Sequence, residues 1–527
     1  MPPPRHIAVL GGGLTGLSSA FHLSRRFPNA HITLLERQNR LGGWVSSEQV
    51  QLGNDDGPKD AKVSLTVESG PRTLRPVSKA ILELINLLNL QPALLTTPST
   101  APAARSRFLY TPALRSGLTA LPSSPLAFLR SPLRKIFLPA ILREPLRKSN
   151  RSQDALEESN RGHPYDESLD SFLSRRFGSE VARVLGSALC HGVYAADARE
   201  LSVRAAFPAL YDLEEQGRGS VVFGVLKAML GFGGSKQKME KEEYDLGDVE
   251  ALMRGVAVYS FRGGIQTLSD ALVSALDART NLEICSGEGV SRIEMREDEV
   301  DSLLVHTSKR TLNPTHIVSA LPLPLLSTLL PPPSSHAPPL PHLTANPASS
   351  VIVLSLIFAA PPSTIHPPGF GYLVPRPLEG YPTATTLSSA ADLGVLGTVF
   401  DSCALPIPPG SEPEAGYTKL TVMLGGPYSI SLRSDDELLL TRVLAHLKEA
   451  LQRELPRPVA WRVWRHERCI PTPRVGHVGR MAELGAVLAE GEGRGAWKGR
   501  MEVVGAGVGG VSVGDCVEAG RRVGARW

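Results

Sequence analysis

Apolar positions in the first forty residues follow two spacings in turn. Ile7 to Leu10 is an unbroken apolar run, the pattern of a buried strand. It ends in Gly11, and the apolar residues then recur as Leu14, Leu17 and Phe21, with Ser18 on the same face, which predicts a helix. A second apolar run, Ile32 to Leu35, ends in Glu36. Further along, strands are expected at Val63 to Gly70, Asn281 to Ser291, Ser302 to Thr307, Thr315 to Pro322, Ser350 to Phe358 and Lys419 to Leu424. Helices are expected at Ser78 to Leu90, Leu169 to Leu189, Leu268 to Leu276 and Asp435 to Glu454. Polar or glycine- and proline-rich stretches mark loops at Gly53 to Lys62, Arg151 to Pro164, Gly233 to Glu250 and Pro331 to Pro347. Ala482 to Gly499, glycine-rich and low in complexity, is expected to be mobile.

These elements weave. Both ends of the chain and the segment from about 255 to 325 are expected to build one nucleotide domain, with substrate-binding parts between. The expected boundaries are 1–76, first part of the nucleotide domain; 77–100, a connecting helix; 101–212, a helical membrane-associated and substrate subdomain; 213–325, the return to the nucleotide domain; 326–480, the substrate domain; and 481–527, the last part of the nucleotide domain. At 527 residues the chain is long enough for such an arrangement.

Chemistry enters at the glycines. Gly11, Gly13 and Gly16 have the GxGxxG spacing between a strand and a helix, and Glu36 closes the next strand. Gly11 permits the tight turn, Gly13 lets backbone approach a pyrophosphate at the helix N-terminus, and Gly16 allows close helix–strand packing. Glu36 is placed to accept hydrogen bonds from ribose hydroxyls. A second glycine turn, Arg40-Leu41-Gly42-Gly43, and a third near the C-terminus, Gly505 to Gly510, point to a cofactor gripped by both chain ends, which suits FAD better than NAD.

Charge and cysteine content narrow the classes. The balance of 56 basic to 52 acidic residues calls for no nucleic-acid partner. The five cysteines lack any CxxC spacing, so reduced thiols are expected rather than disulfides or a metal site. No leader segment is expected, since the first strand begins so close to Met1. No run reaches the roughly 18 apolar residues of a membrane span. Ala101 to Lys148 is distinctive, with nine Lys or Arg against the single acid Glu144, interleaved with Leu126, Phe128, Leu129, Leu133, Ile136, Phe137, Leu138, Ile141 and Leu142. It reads either as a solvated basic face or as a dock for an anionic membrane surface.

The blocks VLGGGLTGLSSAFHLS, ERQNRLGGWVSS, ESGPRTLRP, SRFLYTPALRSGLTALPS, LCHGVYAADARELSVRAAFPALY, FRGGIQTLSDAL, HIVSALP, GFGYLVP, TVMLGG and GVSVGDCVEAGR resemble, in order, the protoporphyrinogen IX oxidases. The first and last blocks are shared with the wider FAD amine oxidase superfamily. The resemblance implies an α/β fold: a Rossmann-like FAD-binding domain, a mixed-sheet substrate domain and a helical membrane-binding subdomain. It implies oxidation of protoporphyrinogen IX to protoporphyrin IX, the penultimate step of haem biosynthesis, with six electrons passing to O2 in three two-electron steps that each yield hydrogen peroxide. It also implies a homodimer lying peripherally on the intermembrane-space face of the mitochondrial inner membrane, with handover of product to ferrochelatase.

Carried over residue by residue, the resemblance places Gly11, Gly13, Gly16, Glu36, Arg40, Gly43, Trp44, Val290, Gly507, Val511, Val513 and Asp515 on FAD. FAD is expected to be noncovalent, one per chain, since no attachment motif is recognisable. Arg107 is placed on a substrate propionate, Gly192 beside the macrocycle, and Phe370, Leu373, Val399 and Met423 in its apolar walls. No residue stands out as a dedicated acid or base, so the redox chemistry falls to flavin N5. His191 stands where some relatives have arginine, and Gly514 where asparagine is common. Two other classes fit less of the pattern: another FAD amine oxidase or desaturase, and a non-catalytic FAD-bound porphyrin carrier.

Overall fold

The computed structural model describes residues 3–52, 63–112, 117–147, 165–230, 243–295, 302–331, 339–382, 393–405, 416–430, 432, 434–489 and 497–527. Expected loops 53–62 and 151–164, and residues 332–338 of the expected loop 331–347, therefore lie outside the described residues, as do 231–242 and 490–496.

Five strands form a parallel sheet in the order Met501–Val503, His316–Ser319, His6–Leu10, His31–Glu36, Leu282–Ser286. Unbroken apolar runs suit such strands because both faces are covered. Ile7 and Val9 face one core cluster, which includes the first helix, Leu14–Arg26; Ala8 and Leu10 face the other. The last helix, Val513–Arg522, lies on the first. Ser18 Oγ donates to the Val517 carbonyl at 2.8 Å, and a Cβ on Gly520 would stand 2.7 Å from Ser18 Cβ. Both chain ends thus share one sheet and one core with residues 282–319.

A seven-stranded sheet runs Ala460–Pro471, Ala348–Phe358, Thr418–Gly425, Val395–Val399, Gly371–Leu373, Phe108–Tyr110, Leu118–Ala120. It is mixed: Gly371–Leu373 pairs in parallel with Phe108–Tyr110, and the other neighbours are antiparallel. Its back face carries Leu354, Tyr372 and Val422 against the helix Asp436–Leu451, where the Tyr372 hydroxyl meets His446 Nε2 at 3.0 Å.

Three expectations need correction. The stretch 101–212 is not purely helical, because its residues 108–110 and 118–120 complete the seven-stranded sheet. Strands of three residues are too short to show alternation. The expected helix Leu169 to Leu189 is broken: Leu169–Phe177 ends at Gly178 (φ +101°), and the chain restarts before the helix Ser187–Tyr194. The mobility expected of Ala482 to Gly499 does not extend over its described residues, because the helix His477–Ala489 runs into it and buries Leu484 and Leu488, and Trp497 is buried too.

Three helices, Pro125–Arg130, Arg134–Arg143 and Val221–Met229, and the residues just after the last two leave apolar side chains in solvent, among them Leu142, Leu146 (84% exposed), Phe223, Met229 (79%) and Leu230. Glu144, wholly buried, ties two of them together. Its carboxylate accepts from Arg176 Nε at 2.8 Å, Ser220 Oγ at 2.6 Å and Val221 N at 2.9 Å. Burial alone would raise its pKa, but the Ser220 and Arg176 bonds outweigh that and hold it below the usual carboxylate value. Removing one partner of such a buried pair costs about 3–5 kcal/mol, so the staple fixes how the exposed helices leave the body. Among the described residues, no helix is long and apolar enough to cross a membrane.

Candidate functional site

Two glycine turns meet at the end of the first strand. Gly42 N donates to the Gly12 carbonyl at 2.9 Å, and a Cβ on Gly43 would stand 3.1 Å from Gly13 Cα. Gly11 (φ +101°), Gly42 (φ +100°) and Gly43 (φ +62°) are left-handed, which glycine adopts at little cost. Arg40 folds back on its own loop, donating to the carbonyls of Leu41, Gly43 and Val45. Glu36 accepts from Gly12 N at 2.8 Å and Gln38 N at 2.9 Å. A carboxylate has about four acceptor sites, so capacity remains for hydroxyl donors. Trp44 is exposed and edge-on to His466, ring centroids 5.3 Å apart.

Gly13 tests whether these residues fit a dinucleotide. Its φ is an ordinary −73° and its Cβ would meet nothing closer than Gly43 Cα at 3.9 Å. Nothing in the chain itself requires glycine there. The first helix also lacks a side-chain cap at Gly13 and an acid in its first turn, so its own first turn offers its leading N–H groups no side-chain acceptor from either position. That is what a pyrophosphate needs, and the residues fit the group.

The remaining cofactor candidates are spread around this cradle. Val290 begins the strand Val290–Met295, two residues beyond Glu288, whose N–H bonds the Glu36 carbonyl at 2.8 Å. A Cβ on Gly507 would stand 3.1 Å from the Leu323 side chain. Val511 packs with the cluster around Phe172, and Val513 opens the last helix. Asp515 forms a capping box with Ser512: its Oδ2 accepts from Ser512 N at 3.0 Å while Asp515 N donates to Ser512 Oγ at 3.1 Å. Its side chain therefore shapes the helix start.

The substrate candidates gather on the front of the seven-stranded sheet. Leu373 lies opposite Gly397 and Gly397 opposite Met423, while Val399 lies opposite Gly371. Directly opposed residues share a face, so Leu373, Val399 and Met423 line the side away from the helix Asp436–Leu451. Leu373 and Met423 are half-buried. Gly192, on the helix Ser187–Tyr194, abuts this face: a Cβ there would come 2.9 Å from Leu373 Cδ2. Phe370 N donates to the Ser106 carbonyl at 2.9 Å, and the Arg107 guanidinium lies over the Phe370 ring at 5.7 Å. Arg107 also donates to the Ala104 carbonyl at 3.0 Å. The structure thus joins Arg107 with Phe370, and Gly192 with Leu373.

Sequence reasoning assigned nothing to Arg72 or Asp401. Both line a cavity of about 260 Å³ that also takes in Glu68, Ser355, Lys419 and Thr421. Ser355 and Thr421 stand on the same sheet face as Met423. Arg72 is buried, its Nε 3.8 Å from Asp401 Oδ1, and Thr421 donates to Asp401 Oδ2 at 2.7 Å. Burial pushes Glu68 up to about 7, against the hydrogen bonds from Ser47 and Ile265 N. The signal for Arg72 was a charge inside the block ESGPRTLRP.

The family described as "Flavin containing amine oxidoreductase" matches residues 14–526. A protoporphyrinogen oxidase of Macaca fascicularis is 34% identical over 530 residues, covering 98% of this chain and 97% of the relative. The protoporphyrinogen oxidase of Homo sapiens is 33% identical over 528 residues, with coverage of 98% and 97%. A solved structure from Exiguobacterium sp. 255-15, assigned as a protoporphyrinogen oxidase, superposes with a TM-score of 0.70 at 21% identity, covering 98% and 97%.

Proposed function

We propose a division of labour for this chain from one premise: it belongs to the flavin-containing amine oxidoreductases. It oxidises protoporphyrinogen IX to protoporphyrin IX with FAD as its cofactor. One observation carries this: a third of residues are identical across 98% of the chain, a span that takes in both the glycine cradle and the sheet face. Dioxygen is the acceptor, and FAD is held without a covalent bond, one per chain.

Gly11, Gly13, Gly16, Gly43 and the N-terminus of the first helix hold the pyrophosphate side of FAD, with Glu36 on the ribose and Arg40 stiffening the second turn. Trp44, Val290, Gly507, Val511, Val513 and Asp515 complete its surroundings. Bound FAD supplies the two-electron redox chemistry. Leu373, Val399, Met423 and Phe370 exclude water and hold the flat macrocycle, Gly192 lets Leu373 pack close beside it, and Arg107 fixes a propionate. The test is anaerobic mixing of the purified protein with protoporphyrinogen IX. The flavin absorbance should bleach on mixing and return on admitting O2. A flavin that stays oxidised would leave a carrier, and bleaching by amines or carotenoids instead would leave another oxidoreductase.

The exposed apolar helices dock on an anionic membrane, on the intermembrane-space face of the mitochondrial inner membrane, where a homodimer hands product to ferrochelatase. Arg130, Arg134 and Lys135 are all exposed beside Leu126, Leu129, Ile141 and Leu142. Each basic residue near such a surface is worth about 1 kcal/mol. Neutralising the three together should sharply reduce flotation with anionic liposomes, and turnover should fall in liposomes but not in detergent. Equal loss in both media would place the damage in the fold instead.

A further inference from the structure

His191 sits where the helix Ser187–Tyr194 meets Leu373. It is buried on the helix Ser187–Tyr194, one residue before Gly192, and its ring reaches the segment that follows Leu373. Nδ1 lies 2.7 Å from the Val374 carbonyl and Nε2 lies 2.9 Å from the Tyr381 hydroxyl. A carbonyl can only accept, so Nδ1 carries the proton. Burial pushes the ring down to about 4, so it is neutral at working pH, Nε2 accepts, and Tyr381 donates. The Tyr381 ring is held in turn, edge-on to Tyr428 at 5.0 Å and under the Arg199 guanidinium at 5.4 Å.

The same segment is stitched to this helical region at other points. Arg376 N donates to Ser187 Oγ at 2.8 Å, and Arg376 Nη2 to Asp170 Oδ1 at 2.8 Å. The Arg376–Ser187 bond lies two residues beyond Val374 and one helical turn before His191, whereas the His191–Val374 bond joins the residues next to Gly192 and Leu373 themselves. It therefore sets the spacing of that pair.

We propose that His191 is a positioning residue for the porphyrinogen: its Nδ1–H bond to the Val374 carbonyl fixes the contact of Leu373 with Gly192 and so holds the Leu373 side chain in place against the macrocycle. This rests on the assignment of Gly192 and Leu373 to the substrate site. The chemistry of the reaction does not pass through the ring.

Two amides of similar polarity separate the two bonds. In His191→Asn the side-chain amide falls where Nδ1 was and can still donate to Val374. In His191→Gln the amide falls where Nε2 was, reaching Tyr381 but not Val374. The FAD-loaded enzymes are compared by KM and kcat for protoporphyrinogen IX and by protoporphyrin IX binding, read by fluorescence titration. His191→Gln should raise both KM and the porphyrin Kd about tenfold with kcat within about threefold, and His191→Asn should stay near the parent. Tyr381→Phe removes the hydroxyl that holds the ring's other nitrogen, which loosens the aim of Nδ1 at the Val374 carbonyl, and should raise KM about threefold. A purely structural role would lower stability in the variants without separating Gln from Asn in KM or Kd. Equal KM and Kd for those two overturns the proposal. If His191→Gln does not load FAD, an unchanged KM in Tyr381→Phe overturns it. Leu373→Ala, measured alongside, guards the underlying assignment: if it leaves KM unmoved the site reading fails, and if it raises KM while the Gln and Asn variants match, only the clamp fails.

Discussion

Gly13→Val gives a folded chain without FAD, whereas Gly16→Val gives no folded chain. The two glycines belong to one motif but answer to different constraints. A Cβ on Gly16 would lie 1.8 Å from the Gly11 carbonyl oxygen, an overlap that no rotamer relieves. The first helix could not then seat against the turn. A Cβ on Gly13 would meet only Gly43 Cα, at 3.9 Å, on a backbone that any residue adopts. Valine there costs the apoprotein little, and its methyl groups take the space in front of the helix N-terminus. Circular dichroism and thermal melting should show Gly13→Val folded, while flavin absorbance after gel filtration should be lost. Gly16→Val should express as insoluble protein. Parental flavin content in Gly13→Val would remove the first helix from the cofactor site.

Arg107→Ala should weaken substrate binding about ten- to a hundredfold, the loss of a charge-assisted pair worth roughly 1.5–3 kcal/mol, and leave flavin content unchanged. The guanidinium spends one donor on the Ala104 carbonyl and lies over Phe370, so it is oriented before substrate arrives. That orientation is why Arg107→Lys should recover only part of the loss: an ammonium keeps the charge but not the planar fork. The readout is KM together with the porphyrin Kd. Parental values for Arg107→Ala would take the residue out of the site.

What was legible in the sequence follows physical lines. The first strand, helix and second strand could be read because a buried parallel strand is apolar throughout, a helix repeats every 3.6 residues, and glycine marks the turns. The long buried strand Ala348–Phe358 was legible for the same reason. Phe108–Tyr110 and Leu118–Ala120 were not, being too short to carry a period. Gly178 broke a helix without interrupting its apolar spacing. Apolar spacing likewise could not say that Phe223, Met229 and Leu230 face solvent, since a docking helix and a core helix share one pattern. Roles for Arg107, Phe370 and Leu373 came from resemblance, because an arginine and a few apolar residues have no signature of their own. The pairing of His191 with Tyr381 spans 190 residues, and nothing local announces it.

The contact between the first and last helices reaches beyond the finished enzyme. Ser18 and Val517 are 499 residues apart, so the nascent chain presents one face of its first helix long before the covering helix exists. At about 5–20 residues per second that face waits on the order of half a minute or more. Until residues 513–522 leave the ribosome that face, with Thr15, Ser18 and Ser19 on it, stays uncovered, and the Ser18 hydroxyl has no Val517 carbonyl to meet. The cradle can close around its cofactor only once residues 513–522 have been made, so flavin supply acts late in the chain's synthesis and not early.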